Sequence, residues 1–316
     1  MHATLELEST RCDLCDSDDA ELLFVASDQR YGVPGEFPLV RCRHCTLVYV
    51  NPRPTPASLG RYYPTRYSPH QATNEQHRGR AGALLRAAAF QRFDGPLGTL
   101  GAWLYNSLAY RAFLRNSAGG RMLDVGCGTG EYLAVCRDLG WKVEGIEPSI
   151  DAAAVARTRL GAPVHAGFIE DIPLAEGAFD AVAMSHSFEH VRSPRRVLSI
   201  VHRALARRGR LLLMVPNFGS WDRRLFGSRW HGLEVPRHLY HFEPRTITAL
   251  LTDAGFDVEQ IGGSSHGESI VRSAGAALGR DTERAPAAVS RLLGLAMLPL
   301  AAARRSTNLW VVARRR

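Results

Sequence analysis

Residues 123–130 read Leu123-Asp124-Val125-Gly126-Cys127-Gly128-Thr129-Gly130, and this stretch decides the fold. The apolar run before it reads as a buried strand, and Gly130–Leu139 reads as a helix. Glycines let the backbone turn sharply and approach a ligand closely. The helix start offers free N–H groups beyond the turn. Asp124 ends the strand as a fixed carboxylate. Glu147, 23 residues later, ends the next strand, where an acid can hold both hydroxyls of a ribose. Turn, helix start and two acids together point to a nucleotide-type cofactor.

Working outward, the pattern repeats. A helix over Ile150–Arg159 is followed by a short strand near Pro163–His165 and a strand over Phe179–Ser185. A helix around Pro194–Leu205 precedes the strand Arg210–Pro216. After a long irregular segment come a helix at Pro244–Ala254 and two more strands, Phe256–Gly262 and Leu309–Arg315. Strands alternating with helices of this length imply βαβ units. The expected fold is α/β with a mostly parallel sheet and one antiparallel edge pair. Three parts are expected: a module and connector over 1–63, a linker and helical segment over 64–117, and the α/β domain over 118–316 with a helical, apolar insert at about 264–306.

The dinucleotide fingerprint requires G-x-G-x-x-G. Gly126 and Gly128 fit it, but Glu131 stands at the third site, where a carboxylate would repel a pyrophosphate. A nicotinamide oxidoreductase is disfavoured on that ground. A cofactor carrying a sulfonium and an ammonium, and no phosphate, gains from the same acids.

On Leu123–Gly130, Val143–Ser149, Gly167–Val182 and Ser187–Val191 the chain resembles class I S-adenosylmethionine-dependent methyltransferases, over roughly residues 118–262. The resemblance implies a Rossmann-like methyltransferase domain. It implies that Asp124, Gly126, Cys127, Gly128 and Gly130 hold the methionine part and Glu147 the ribose. Ile169 and Glu170 would flank the adenine, and Pro148 and Ser185 complete the cofactor contacts. The family often has an acidic residue where this chain has Phe168.

Cys12-x-x-Cys15 and Cys42-x-x-Cys45 are separated by 26 residues. A C-x-x-C turn puts two thiolates on one side of a tight knuckle, and two knuckles complete a tetrahedron around zinc. The separation exceeds that of compact ribbons and leaves room for a longer hairpin. Disulfides and a redox pair are the alternatives. His44, inside the second knuckle, reads as a surface residue. The run from Cys42 to Tyr63 resembles the zinc-binding module ahead of some bacterial methyltransferases, including sugar C-methyltransferases, which implies a small zinc-ribbon-like module here.

Four histidines, His186, His190, His238 and His241, fall near sheet ends or the loop beyond them. A histidine there can take a proton from an acceptor at neutral pH. They are the candidate acid–base residues. A purely structural role, or a metal at Glu189 and His190, is the alternative. Trp230–Phe242 resembles a segment of methyltransferases that carry this knuckle, and Trp230, Tyr240 and Phe242 could stack on an acceptor ring or sugar, though aromatic residues are more often plain core.

The net charge is +8, yet the basic residues are dispersed and carry no aromatic-interleaved stripe, which argues against nucleic acid. The N-terminus lacks a signal pattern. Leu292–Ala303, with Pro299 inside, spans 12 residues where a crossing helix needs about 20. A cytoplasmic location follows, with peripheral membrane contact through 289–303 as an option. The apolar stretches 97–115 and 289–303 are expected to form a packed cap, a lid or a membrane-facing surface. The expected function is methylation of a small-molecule, sugar or lipid-linked acceptor. The alternative is a cofactor-binding zinc protein without chemistry.

Overall fold

The computed structural model describes residues 5–63, 119–264, 267–279 and 305–316, with Val289 and Leu293. The expected linker and helical segment over 64–117 lies outside the described residues. So do the apolar stretch 97–115 and, apart from Val289 and Leu293, the stretch 289–303.

The N-terminal part carries β1 (Leu7–Glu8), β2 (Ala20–Ala26), β3 (Phe37–Cys42), β4 (Val48–Val50), β5 (Arg53–Pro54) and the short helix α1 (Pro56–Leu59). Strands β2, β3 and β4 form an antiparallel meander. The hairpin β2–β3 takes up most of the 26 residues between the cysteine pairs, which is why their spacing is long. Helix α1 starts where the sequence allows it: the Thr55 side chain accepts from Ser58 N, and Pro56, whose missing N–H costs nothing there, is the first helical residue.

The larger part runs β6 (Arg121–Val125), α2 (Glu131–Asp138), β7 (Lys142–Glu147), α3 (Ile150–Leu160), β8 (Val164–Ala166), β9 (Phe179–Ser185), α4 (Pro194–Ala204), β10 (Leu205–Pro216), α5 (Trp221–Phe226), β11 (Tyr240–His241), α6 (Pro244–Asp253), β12 (Phe256–Ser264), α7 (Gly267–Ala277) and β13 (Asn308–Arg315). The main sheet has the order β12-β13-β10-β9-β6-β7-β8. Five strands, β10 to β8 in that list, are parallel. Strand β13 enters between β10 and β12, antiparallel to both, so the expected antiparallel pair forms one edge. The chain winds from β6 outward to β8, then returns to β9 and winds the other way. This reversal between β6 and β9 opens a crevice at the carboxyl ends of the strands, where ligands of such sheets bind.

Local chemistry sets the elements. Helix α4 buries Val197, Leu198 and Val201 on one face and turns Arg195 and Arg196 outward. Each buried side chain of this kind contributes about 1.5–3 kcal/mol. The segment after Pro216 read as irregular; it contains α5, two short 3-10 turns and β11, elements too short to leave a periodic signal. Of the expected helical insert, α7 is the main described part, and it is amphipathic rather than uniformly apolar.

The two parts share one core. Strand β11 pairs antiparallel with β4, placing Tyr240 opposite Tyr49 and His241 opposite Val48. One apolar cluster joins Leu14, Leu47 and Tyr49 to Val125, Phe188, Val197 and Phe242. Among the described residues no helix is long and apolar enough to cross a membrane.

Candidate active site

The turn between β6 and α2 sits at the crevice. Gly126, Gly128 and Gly130 have φ of 79°, 54° and 79°, left-handed values that favour glycine. Packing adds to this at two of them, decisively at Gly126 and as a tight fit at Gly130. A Cβ on Gly126 would lie 2.5 Å from Ser187 Cβ, and one on Gly130 would meet Ala156 and Leu160 at 3.1–3.2 Å. The sequence argument invoked approach to a ligand; the protein's own contacts add a second reason at these positions.

Glu147 ties the turn to β7. One carboxylate oxygen accepts from Gly128 N at 2.8 Å and the other from Ser149 N at 2.9 Å. A carboxylate is an acceptor at both oxygens, the chemistry that hydroxyl donors need, and this one is buried at the crevice. Asp124 is buried at the end of β6. Burial and these two acids push the Cys127 thiol above its ordinary range, so it stays protonated. Glu131 pairs with Arg159 at 3.5 Å. Ile169 is buried in a short turn, Glu170 is half-buried, and Phe168 is 61% exposed. A cavity of about 400 Å³ beside this turn is lined by Glu170, Arg196 and Arg203 among others, and none of the glycine-turn residues reaches it.

The histidines gather around one carboxylate. Ser187, next to His186, donates to Val125 O at 2.6 Å, which pins the end of β9 against the cofactor turn. His186 has φ 54°, an uncommon value for a non-glycine residue. Its Nδ1 is 3.3 Å from Glu189 Oε1, and its side chain is 31% exposed. His238 Nε2 stands 3.8 Å from the same oxygen. Glu189 is fully buried. Burial alone would raise its carboxyl, but the adjacent His186, with His238 and His190 nearby, holds it below its ordinary range.

Three of the four candidates are tied into the protein. His190 Nδ1 lies 3.0 Å from the Arg237 carbonyl and 3.1 Å from the Tyr63 hydroxyl. A carbonyl only accepts, so Nδ1 carries the proton and Nε2 the lone pair. Burial, with His238 nearby, pushes His190 down to about 4. His238 Nδ1 makes the equivalent bond to the Gly232 carbonyl at 3.0 Å. His241 is pushed down to about 3 by burial and packs on Phe218. Glu189, His190 and His238 present ligand atoms within 4.8 Å of one another.

A fully buried ion pair braces this face. Arg237 donates to both oxygens of Asp28, at 2.6 and 3.0 Å, and also to the Tyr62 carbonyl and Glu234. Sequence reading missed Asp28, Tyr63 and Arg237, since their partners are far along the chain. Trp230, Tyr240 and Phe242 are buried, not poised for an acceptor ring. Tyr240 stacks between Tyr49 and Phe242, and Phe242 on Phe188. Their burial favours the core reading over stacking on an acceptor.

The cysteine pairs come together at the N-terminus. Cys12 and Cys45 sulfurs are 3.3 Å apart, Cys15 and Cys42 3.4 Å, and all four lie within 4.8 Å of one another. The two turns match bond for bond: Asp16 N donates to Cys12 O and Thr46 N to Cys42 O, and both turns end in a left-handed residue. Amides of Leu14 and Cys15 point at the Cys12 sulfur, those of His44 and Cys45 at Cys42. His44 is exposed, as expected.

A parallel sheet reversed at β6/β9, with a glycine turn and acids at its carboxyl edge, defines a Rossmann-like, nucleotide-cofactor class of enzyme. The methyltransferase-domain family model matches residues 104–261, half of the chain, and the protein belongs to that family. It is an S-adenosylmethionine-dependent methyltransferase. A ubiquinone biosynthesis O-methyltransferase of Xanthomonas oryzae pv. oryzae is 29% identical over 182 residues, 54% of this chain and 76% of that protein. A ubiquinone/menaquinone biosynthesis C-methyltransferase of Rubrivivax gelatinosus is 26% identical over 173 residues, 53% of this chain and 68% of that protein. Among solved structures, an S-adenosylmethionine-dependent methyltransferase from Mesorhizobium loti superposes with a TM-score of 0.46 at 21% identity, over 64% of this chain and 94% of that one. A geranyl diphosphate C-methyltransferase from Streptomyces coelicolor does so with a TM-score of 0.45 at 16% identity, over 70% and 77%.

Proposed function

We propose that the protein methylates a hydroxyl of a small-molecule acceptor, with His186 as the acid–base residue and Glu189 holding it. The carrying observation is the His186–Glu189 contact beside the glycine turn. Of the four candidate histidines, His186 is the one at the carboxyl end of β9 with a buried carboxylate on Nδ1; its side chain is partly exposed, while Nε2 itself is buried. Strain at a functional residue is expected where the surroundings over-determine it, as the φ of His186 suggests. When bound, S-adenosylmethionine supplies a methyl group on a sulfonium. Asp124, Gly126, Cys127, Gly128 and Gly130 would hold its methionine side, Glu147 its ribose, and Ile169 and Glu170 its adenine, with Pro148 and Ser185 completing the contacts. Two buried acids at this turn suit a cationic cofactor. His186 would take the hydroxyl proton as the acceptor oxygen attacks, and positioning in line with the sulfonium supplies much of the rate. The similarity to a named O-methyltransferase supports hydroxyl acceptors. Sugar and lipid-linked acceptors, and a membrane contact through 289–303, stay as narrower options. Single-turnover methylation with a panel of phenols, catechols and sugars tests the reading. Transfer to carbon or nitrogen acceptors alone would reject it.

The cysteines fit a structural zinc ion. Tetrahedral Zn–S bonds of about 2.3 Å place sulfurs about 3.8 Å apart, close to the separations seen. Burial pushes the Cys12 thiol up to about 11, and a bound cation would reverse that. About one zinc per chain is expected by metal analysis; two disulfides and no zinc would reject it. We keep 1–63, 64–117 and 118–316 as the working division of the chain. A second reading of the histidine face rests on the closeness of Glu189, His190 and His238: two imidazoles and a carboxylate suit a divalent transition metal. Two metals per chain instead of one would favour it.

A further inference from the structure

The two cysteine turns match in their backbone hydrogen bonds but differ at the residue after the first cysteine. In the second turn this is Arg43, an exposed side chain paired with Asp19 at 3.3 Å and Glu21 at 3.6 Å. In the first it is Asp13, which reaches across to the methyltransferase part. Its Oδ2 accepts from Arg195 N at 2.7 Å and its Oδ1 from the Ser193 hydroxyl at 2.9 Å. These are the start of α4. Ser193 in turn accepts from Arg196 N, so Asp13 and Ser193 satisfy neighbouring orphan amides of the first turn.

Helix α4 needs such a partner. Its first turn contains no acid and carries Arg195 and Arg196 at the positive end of the helix dipole. The missing negative charge comes from Asp13, about 180 residues away. The loop ahead of the helix is gripped from the same side. The Arg192 carbonyl accepts from Arg53 at 2.7 Å, the Arg192 guanidinium meets Pro54 O and Glu8, and Tyr63 meets His190. By contrast, the glycine turn takes its contacts from β7, α3 and β9.

We infer that Asp13 is a positioning residue: through it the cysteine turn fixes the start of α4 and so the loop carrying His186, Glu189 and His190. The side-chain direction of Asp13 depends on the Cys12–Cys15 turn being closed, so a metal held by the four cysteines also sets the acceptor side. The consequence for methyl transfer rests on the proposed function; the mechanical claim does not.

Hydrogen exchange on the full chain tests it. In Asp13→Ala, amides 195–197 should exchange at least about tenfold faster, while 123–131 keep their protection and cofactor affinity stays within about twofold, a capping loss being of that order. Asp13→Asn, which keeps one acceptor and loses the charge, should fall between; Ser193→Ala should also loosen the same amides. These two variants carry the test if Asp13→Ala does not fold. Metal content should be unchanged in all three. Stripping metal from the wild type with a chelator should reproduce the pattern and add little in Asp13→Ala, since both act through one path. Unchanged exchange at 195–197 in Asp13→Ala, or an increase spread evenly along the chain, overturns the assignment. Chelation that loosens the cysteine turns and not 195–197 overturns the coupling. Protein purified without metal would reject the zinc reading and leave the Asp13 comparison intact.

Discussion

The cofactor turn and the histidine face lie side by side, and they are built in opposite ways. The turn is local: Gly128 and Glu147 bond across 19 residues, and Gly126 N and Cys127 N both donate to Ile146 O. The histidine face is assembled from remote parts. Asp28 meets Arg237 across 209 residues, Arg53 meets Tyr240 across 187, and Tyr63 meets His190 across 127. One side is held by β6, β7, α3 and the turn after β9, all within one part of the chain. The other depends on the N-terminal sheet docking through β4 and β11.

Substitutions on the two sides should therefore separate cleanly. The largest effect is expected for His186→Ala, which should lower turnover about 10²- to 10⁴-fold and leave calorimetric cofactor affinity near normal. Equal loss from His190→Ala, His238→Ala and His241→Ala would mean that the face acts as a unit. Asp28→Ala should cost about 3–5 kcal/mol in denaturant unfolding, because it leaves two of the buried Arg237 guanidinium's charge-assisted bonds unmade, with Glu234 as its remaining acid. A loss under about 1 kcal/mol would show that the two parts are less dependent on each other than the ion pair implies. Glu147→Ala should weaken S-adenosylmethionine by about 1.5–3 kcal/mol, the range for hydrogen bonds to a charged group, and should also lower stability by about 1–3 kcal/mol, because the Gly128 and Ser149 amides lose their acceptor. A stability loss with cofactor affinity unchanged would make Glu147 a structural brace of the turn only.

The smallest effect near neutrality is on pH. His190, His231 and His241 are pushed down to about 4, 3 and 3, in each case first by burial. The unfolded chain then binds more protons than the folded one below about pH 6.5. Stability should be nearly flat above pH 7, decline as the pH falls through 6, and drop further toward 4. Glu234, held far below its usual range by Arg30 and the nearby His238 despite its burial, adds to the loss below its ordinary value of 4.5. A thermal midpoint that rises on acidification from 7 to 5 would contradict this. The change should be largest at the histidine face; equal loosening of 123–131 by hydrogen exchange at pH 5 would break the contrast.

Legibility follows the same division. Strand Phe179–Ser185 is read correctly to the residue, because an apolar run ending in a polar turn marks both its ends. The glycine turn is legible because its residue types are demanded within eight positions. Glu189 shows in the sequence only as an acid beside a histidine; its contacts with His186 and His238 need the fold. Trp230, Tyr240 and Phe242 read as pocket or, more commonly for aromatic residues, as core, and burial favours core.

By itself the sequence determined the βαβ order, the glycine turn with its two acids, and two matched cysteine knuckles. Each rests on periodicity or on spacing between near neighbours, where backbone geometry alone relates the residues. The tertiary structure decided that β11 completes the N-terminal sheet, that Arg237 is neutralised by Asp28, and that Asp13 caps α4. These are pairings between segments far apart in the chain. Any of many acids could partner a given arginine or helix start, and only the packing of a shared core selects which one arrives there.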